Sequence, residues 1–136
     1  MVTIPKLRFW IADRSAADNL LLGDLEFTDE ELAAGMEHAA REFNSIPPVS
    51  YQVRANRLPD DTNMFYEAAA ECLYKQRLHS LMRNNFKYQA GNVQVDDVGQ
   101  KIEGLKQLIG MMAPWRETAR NIKQKIDTSR YFGRLA

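Results

Sequence analysis

The chain has 136 residues, 45% hydrophobic and 26% charged, with 18 Lys/Arg balanced by 18 Asp/Glu. That length fits one domain, or a domain with arms, and the single cysteine, Cys72, excludes an internal disulfide framework and suits a reducing compartment. The N-terminal MVTIPKLRFWIADR has no apolar run of signal-peptide length, and nowhere do about twenty apolar residues run together, so a soluble chain without membrane contact is expected.

Balanced charge removes the usual electrostatic case for a nucleic-acid binder, but the charges are segregated. Residues 1–50 hold four Lys/Arg against nine Asp/Glu, a net of −5, and residues 51–136 hold fourteen against nine, a net of +5. An acidic front and a basic back suit copies that meet head to tail around a closed ring; the alternative is chance segregation of solvated charges.

Taken in order, the first element is a short helix over Ile4–Arg14, with Thr3 as its cap, Pro5 in its first turn and Leu7, Trp10 and Ile11 on one face. DNLLLGDLE, residues 18–26, reads as a turn-rich connector whose leucines tuck inward. FTDEEL then gives the sharpest local signal: Thr28 as N-cap, Glu31 three residues later as in a capping box, and Phe27 and Leu32 at the two staple positions. A helix from Asp29 with Leu32, Met36, Ala39, Ala40 and Phe43 as its buried stripe follows, ended by Pro47 and Pro48. Residues 49–61 alternate briefly at Val49, Tyr51 and Val53, which predicts an extended connector with an edge strand.

A long helix is predicted from Asn63 to about Asn84, capped by Asp61 or Thr62, with apolar residues on more than one face as in a central helix covered on several sides. FKYQAGNVQV alternates on both sides of Ala90-Gly91-Asn92 and predicts a small β-hairpin over residues 86–95, with Phe86, Tyr88, Asn92 and Val93 as candidate partner-facing positions. Asp97 and Gln100 then signal the start of a rod over residues 96–128, about 45 Å long, with Gly104 and Gly110 weakening it and Pro114 kinking it. Its stripe is Ile102, Leu105, Leu108, Ile109, Met112, Ala119, Ile122 and Ile126, and Gly133 argues against further helix in the terminal SRYFGRLA. The expected fold is mainly α: a bundle with two long helices, a hairpin between them, a helical domain over residues 1–128 and a C-terminal arm over residues 129–136.

No catalytic set stands out. His38 and His79 are the only histidines; His79 lies seven residues after Cys72, on the same helix face, but one thiol and one imidazole fall short of a zinc site. Asp60-Asp61 and Asp96-Asp97 read as caps, and phosphate-binding loops are missing, so no catalytic, cofactor or metal residues are assigned and no enzyme is expected. Arg116, Arg120, Lys123, Arg130 and Arg134 with Tyr131 and Phe132 suit nucleic-acid contact, but a terminus with adjacent aromatics between arginines has the composition of a protein-interface anchor; the plain alternative is a frayed end.

LRFWIADRSAADNLLLGDLEFTDEEL, the helix closing on FNSIPP, the helix leading into FKYQAGNVQVDDVGQKI and the terminal long helix with its arm together resemble the head-to-tail connector, or adaptor, proteins of tailed bacteriophages. The likeness is one of pattern and segment order over most of the chain. It implies a structural virion protein of the neck, assembled in the host cytoplasm, without enzymatic activity or cofactor. It implies a homo-oligomeric ring, commonly a dodecamer, that binds the portal protein, extends the DNA channel and docks a stopper or tail-terminator protein. DNA would pass through without sequence-specific binding. The resemblance also implies an arm that inserts into the portal or a neighbouring subunit, here Arg130, Tyr131, Phe132, Arg134 and Leu135, with the predicted hairpin or the 49–61 connector facing the next component. The chain departs from the family in its zero net charge, since such channels are usually lined with acidic or mixed residues. The alternative of a different class is a small nucleic-acid-binding or regulatory helical protein that uses its basic C-terminal third.

Overall fold

A computed structural model describes residues 1–11, 27–47, 51–89 and 96–135, with residues 84–89, 96–100 and 127–135 described by their backbone alone. The described residues form five helices, α1 (Ile4–Trp10), α2 (Asp29–Ser45), α3 (Met64–Gln89), α4 (Asp96–Met112) and α5 (Trp115–Leu135), with one short 3₁₀ turn at Ala55–Arg57 between α2 and α3. The protein is mainly α, and no strand forms among the described residues.

Local chemistry sets the first two helices. Thr3 accepts a hydrogen bond from the Lys6 amide at 3.3 Å and Pro5 sits in the first turn of α1, where its missing N–H costs nothing. At α2 the capping box closes in both directions: the Glu31 amide donates to Thr28 Oγ1 at 3.2 Å and the Thr28 amide donates to Glu31 Oε1 at 3.4 Å. Leu32, Met36, Ala39, Ala40 and Phe43 are all buried, as their spacing requires. Buried Arg8 ties α1 to the start of α2, donating to the Phe27 carbonyl at 2.8 Å and pairing with Asp29 at 2.7 Å.

Helix α3 is the centre of the bundle. From Met64 to Leu73 every residue except Glu67 is buried, because α2, α4 and α5 all pack on it. Its partners along α2 run in reverse: Arg77 lies over the Phe27 ring, Gly35 approaches Leu73 and Ala69, and Phe43 meets Phe65 at 5.0 Å between centroids. The two helices are therefore antiparallel. A Cβ on Gly35 would sit 3.2 Å from Leu73 Cγ, so glycine is what permits this close approach.

Several expectations are corrected. Helix α3 starts at Met64, with the Glu67 amide bonded to the Asn63 carbonyl at 2.9 Å, so neither Asp61 nor Thr62 is the residue that closes its first turn. It also runs on through Phe86 and Tyr88 to Gln89, so the hairpin does not form there; Asn92 and Val93 lie outside the described residues. Four alternating residues are too short a pattern to stop a helix that propagates one hydrogen bond per residue, whereas a lone hairpin gains little in water. The edge strand near Val53 is replaced by a side chain: the Asn44 carboxamide donates to the Val53 carbonyl at 2.9 Å and accepts from the Val53 amide at 2.8 Å, copying a strand ladder with one residue.

The predicted rod is two helices, broken at Ala113-Pro114, where proline withholds the amide that the carbonyl four residues earlier would need. The start of α4 at Asp96 places Asp97 inside the first turn rather than at the cap. Past the break, α5 continues through Gly133 to Leu135, so the expected terminal arm has a helical backbone except for Ala136, which lies outside the described residues. A single glycine lowers helix stability by about 1 kcal/mol, less than the rest of a 21-residue helix supplies. The core is completed by Trp115, Leu58, Leu7 and Val2, and the N-terminus is pinned by the Val2 amide on the Leu58 carbonyl at 2.8 Å and by the Met1 amine on Asp60 at 3.0 Å.

Candidate interaction surfaces

The expected portal-facing residues Arg130, Tyr131, Phe132, Arg134 and Leu135 all fall on the last turns of α5, and Phe86 and Tyr88 on the last turn of α3. The described chain therefore carries both groups on helices rather than on an arm and a hairpin. Asn92 and Val93 are outside it.

Between α2, α3 and α5 lies an ionic knot that periodicity did not reveal. Arg116, at the start of α5, grips Glu71 of α3 with both terminal nitrogens, at 2.7 and 2.6 Å, and reaches Glu42 of α2 at 3.1 Å. Lys75 joins Glu71 at 3.3 Å and His38 Nε2 meets Glu42 Oε1 at 3.1 Å. Glu71 is 3% exposed. Burial pushes its carboxyl up, but the Arg116 hydrogen bonds and the charges of Arg116 and Lys75 outweigh burial and hold it below the ordinary glutamate range. The hydrogen bonds that Arg116 donates to Glu71 in turn raise the pKa of its guanidinium. Arg116 also stacks over the neighbouring Trp115 ring at 5.0 Å.

Two turns further along α5, Lys123 is fully buried. Its ammonium donates to the Ile46 carbonyl at 2.6 Å and stands 4.7 Å from the Phe43 ring centroid, and burial lowers its proton affinity. These contacts change the weighing of the basic C-terminal third. Of five cations set against phosphate, Arg116 is committed to two carboxylates and Lys123 to the core, leaving Arg120 as the exposed one whose side chain is described.

Among the described residues no group of three or more His, Cys, Asp or Glu is placed to hold a metal ion. Cys72 is buried and burial raises its thiol further from the thiolate form that nucleophilic attack needs. Cys72 and His79 do share a face, as their spacing predicts: with His38, Lys75, Gln76, Ser80 and Arg83 they line a groove of about 570 Å³ between α2 and α3. None of the seven lining residues is acidic.

The remaining surface of note is α4. Of its described side chains only Leu105 is buried; Ile102, Leu108, Ile109 and Met112 stay half-buried and Met111 is 66% exposed. The apolar stripe that reads so clearly in sequence is thus only partly covered by the chain's own α3. No helix among the described residues is long and apolar enough to cross a membrane.

Comparison with protein-family models, with curated proteins and with solved structures yields no match.

Proposed function

We propose that the chain is a ring-forming head-to-tail adaptor of a tailed-phage virion, a structural component of the neck that joins the portal to the stopper or tail and lengthens the DNA channel. The observation that carries this is the partly covered apolar stripe of α4: an amphipathic helix whose apolar face is only partly satisfied at home gains most when an identical neighbour completes it. Segregated charge supports the same geometry, since an acidic front and a basic back meet naturally between successive copies of a ring. A nucleic-acid-binding role is the weaker alternative, because Arg116 and Lys123 are spent inside the protein.

Residues 130–136 are proposed to engage the portal or the adjacent subunit, with Tyr131 and Phe132 as anchors and Arg130, Arg134 and Leu135 beside them. Deleting 130–136 should leave the helical body folded and abolish stable attachment to the portal. Tyr131→Ala with Phe132→Ala should weaken docking by about 2–4 kcal/mol if both fill pockets. A truncated protein that enters particles at the wild-type level would sink the docking role, and tight, salt-dependent binding of duplex DNA by the free protein would favour the alternative.

A further inference from the structure

Along α3, Lys75, His79 and Arg83 stand four residues apart, so they form one row that spans about 12 Å. The row is the basic wall of the groove that His38, Cys72, Gln76 and Ser80 complete. Lys75 is half exposed and touches Glu71, whereas His79 and Arg83 are exposed and make no hydrogen bond or ion pair among the described residues. Lys75 and His38 already have Glu71 and Glu42 beside them, so it is the His79 and Arg83 end of this concave site, with no acidic lining residue, that suits carboxylates from outside.

The same chain carries a matching acidic edge. Residues 15–40 contain seven Asp/Glu and no Lys/Arg. Within α2, Asp29 is taken by Arg8 and Glu31 by the capping box, but Glu30 and Glu37 are exposed and unpaired among the described residues. Seven residues is two helical turns, so the two carboxylates share one face about 10.5 Å apart, close to the span of the basic row. Glu37 and His38 are consecutive and point about 100° apart around α2, which puts the acidic edge and the groove on adjoining sides of the molecule. Two different patches of this kind make a heterologous contact, the sort that closes into a ring.

We infer that the groove between α2 and α3 receives the Glu30/Glu37 edge of a second copy of this chain, with Arg83, His79 and Lys75 of one copy facing those carboxylates of the next. This contact rests on the adaptor reading and supplies its direction of assembly. Exposed charge pairs add little affinity each, so the groove sets register and partner choice while the α4 stripe supplies the apolar area.

The test is a charge-reversal cycle in the full chain: wild type, Arg83→Glu, Glu30→Arg and the double variant, followed by analytical ultracentrifugation over a concentration series. Both side chains are exposed, so circular dichroism should show all four folded. Each single reversal should lower the self-association constant by about tenfold or more, and the double variant should regain most of it. Singles that associate like wild type, or a double no better than the singles, overturn the contact. If wild type stays monomeric alone, the same four proteins are scored for incorporation into particle necks, where the same pattern is expected. Wild type that enters necks with Arg83→Glu equally competent overturns the groove contact and leaves the adaptor role intact. Wild type that neither associates nor enters necks overturns both.

Discussion

Replacing Arg116 with methionine removes a cation that ties α5 to α2 and α3 while keeping most of the side chain's length. Cutting a buried ion pair on one side costs about 3–5 kcal/mol when the remaining charge is fully enclosed. Here the cost is smaller. Arg116 is 34% exposed, so solvent screens part of the interaction, and Lys75 stays 3.3 Å from Glu71 as a substitute partner. A loss of about 2 kcal/mol is expected, or roughly 6 °C in Tm for a chain of this size. The pH dependence sharpens the test. In the wild type the folded-state pKa of Glu71 is depressed, so its contribution is present above the ordinary glutamate value and is lost as pH falls through the depressed one. In the variant burial dominates and pushes the same carboxyl up, so Glu71 costs stability at neutral pH, and that cost disappears once the unfolded chain is also protonated. The stability gap between the two proteins should therefore shrink from neutral pH to about pH 3, and Glu71→Gln in the Arg116→Met background should recover part of the loss. Urea unfolding followed by circular dichroism measures all of this. A gap under about 0.5 kcal/mol at neutral pH, or one constant across the range, would refute the view that this knot holds α5 to the bundle.

Lys123→Met should leave stability within about 1 kcal/mol of wild type or raise it, since the methionine fills the same space without a buried charge. Because burial depresses the folded-state pKa of Lys123, the ammonium costs stability below that value; wild type should gain on the variant as pH rises through it toward the ordinary lysine range, which alkaline melts would show. Asn44→Ala removes both hydrogen bonds to Val53 and should cost about 1–2 kcal/mol with faster hydrogen exchange at the Val53 amide; unchanged exchange would mean the mimicked ladder does not hold this segment. Gly110→Ala, with nothing within 4 Å of the new Cβ, should stabilise by up to about 1 kcal/mol, while Gly35→Val, pressed against Leu73 and Ala69, should destabilise by about 2 kcal/mol, both read from thermal melts.

Where the chain announces itself locally, sequence and structure agree. Thr3, Pro5, Thr28 and Glu31 mark helix starts through short-range hydrogen bonds and backbone geometry, and the α2 stripe follows from a clean three-and-four spacing. The breadth of apolar residues on α3 likewise foretold a helix wrapped by its neighbours. The hairpin reading fails at residues 86–89 because a four-residue alternation cannot distinguish strand from the continuation of a helix. Gly133 misleads for a related reason: propensity is a weak force that an otherwise favourable helix overrides.

The ionic knot and the buried lysine were hidden for a different reason. Glu42, Glu71 and Arg116 are separated by 29 and 45 positions, and nothing in their local patterns distinguishes a carboxylate bound for the interior from one on a solvated face. Lys123 lies in step with Ala119, Ile122 and Ile126, so the stripe itself pointed to an inward position, but its charge argued against reading it that way. The groove had a visible signal in the four-residue spacing of Lys75, His79 and Arg83, which gains meaning only once α2 closes its other side.

Cryo-electron microscopy of the neck in intact particles decides the matter most directly. A ring of identical copies beneath the portal, with the apolar stripe of α4 closed by the adjacent subunit and residues 130–136 held in a protein contact, is what an adaptor requires. A solitary copy whose Met111 face and last seven residues meet only solvent, or particles that lack the protein altogether, would contradict it.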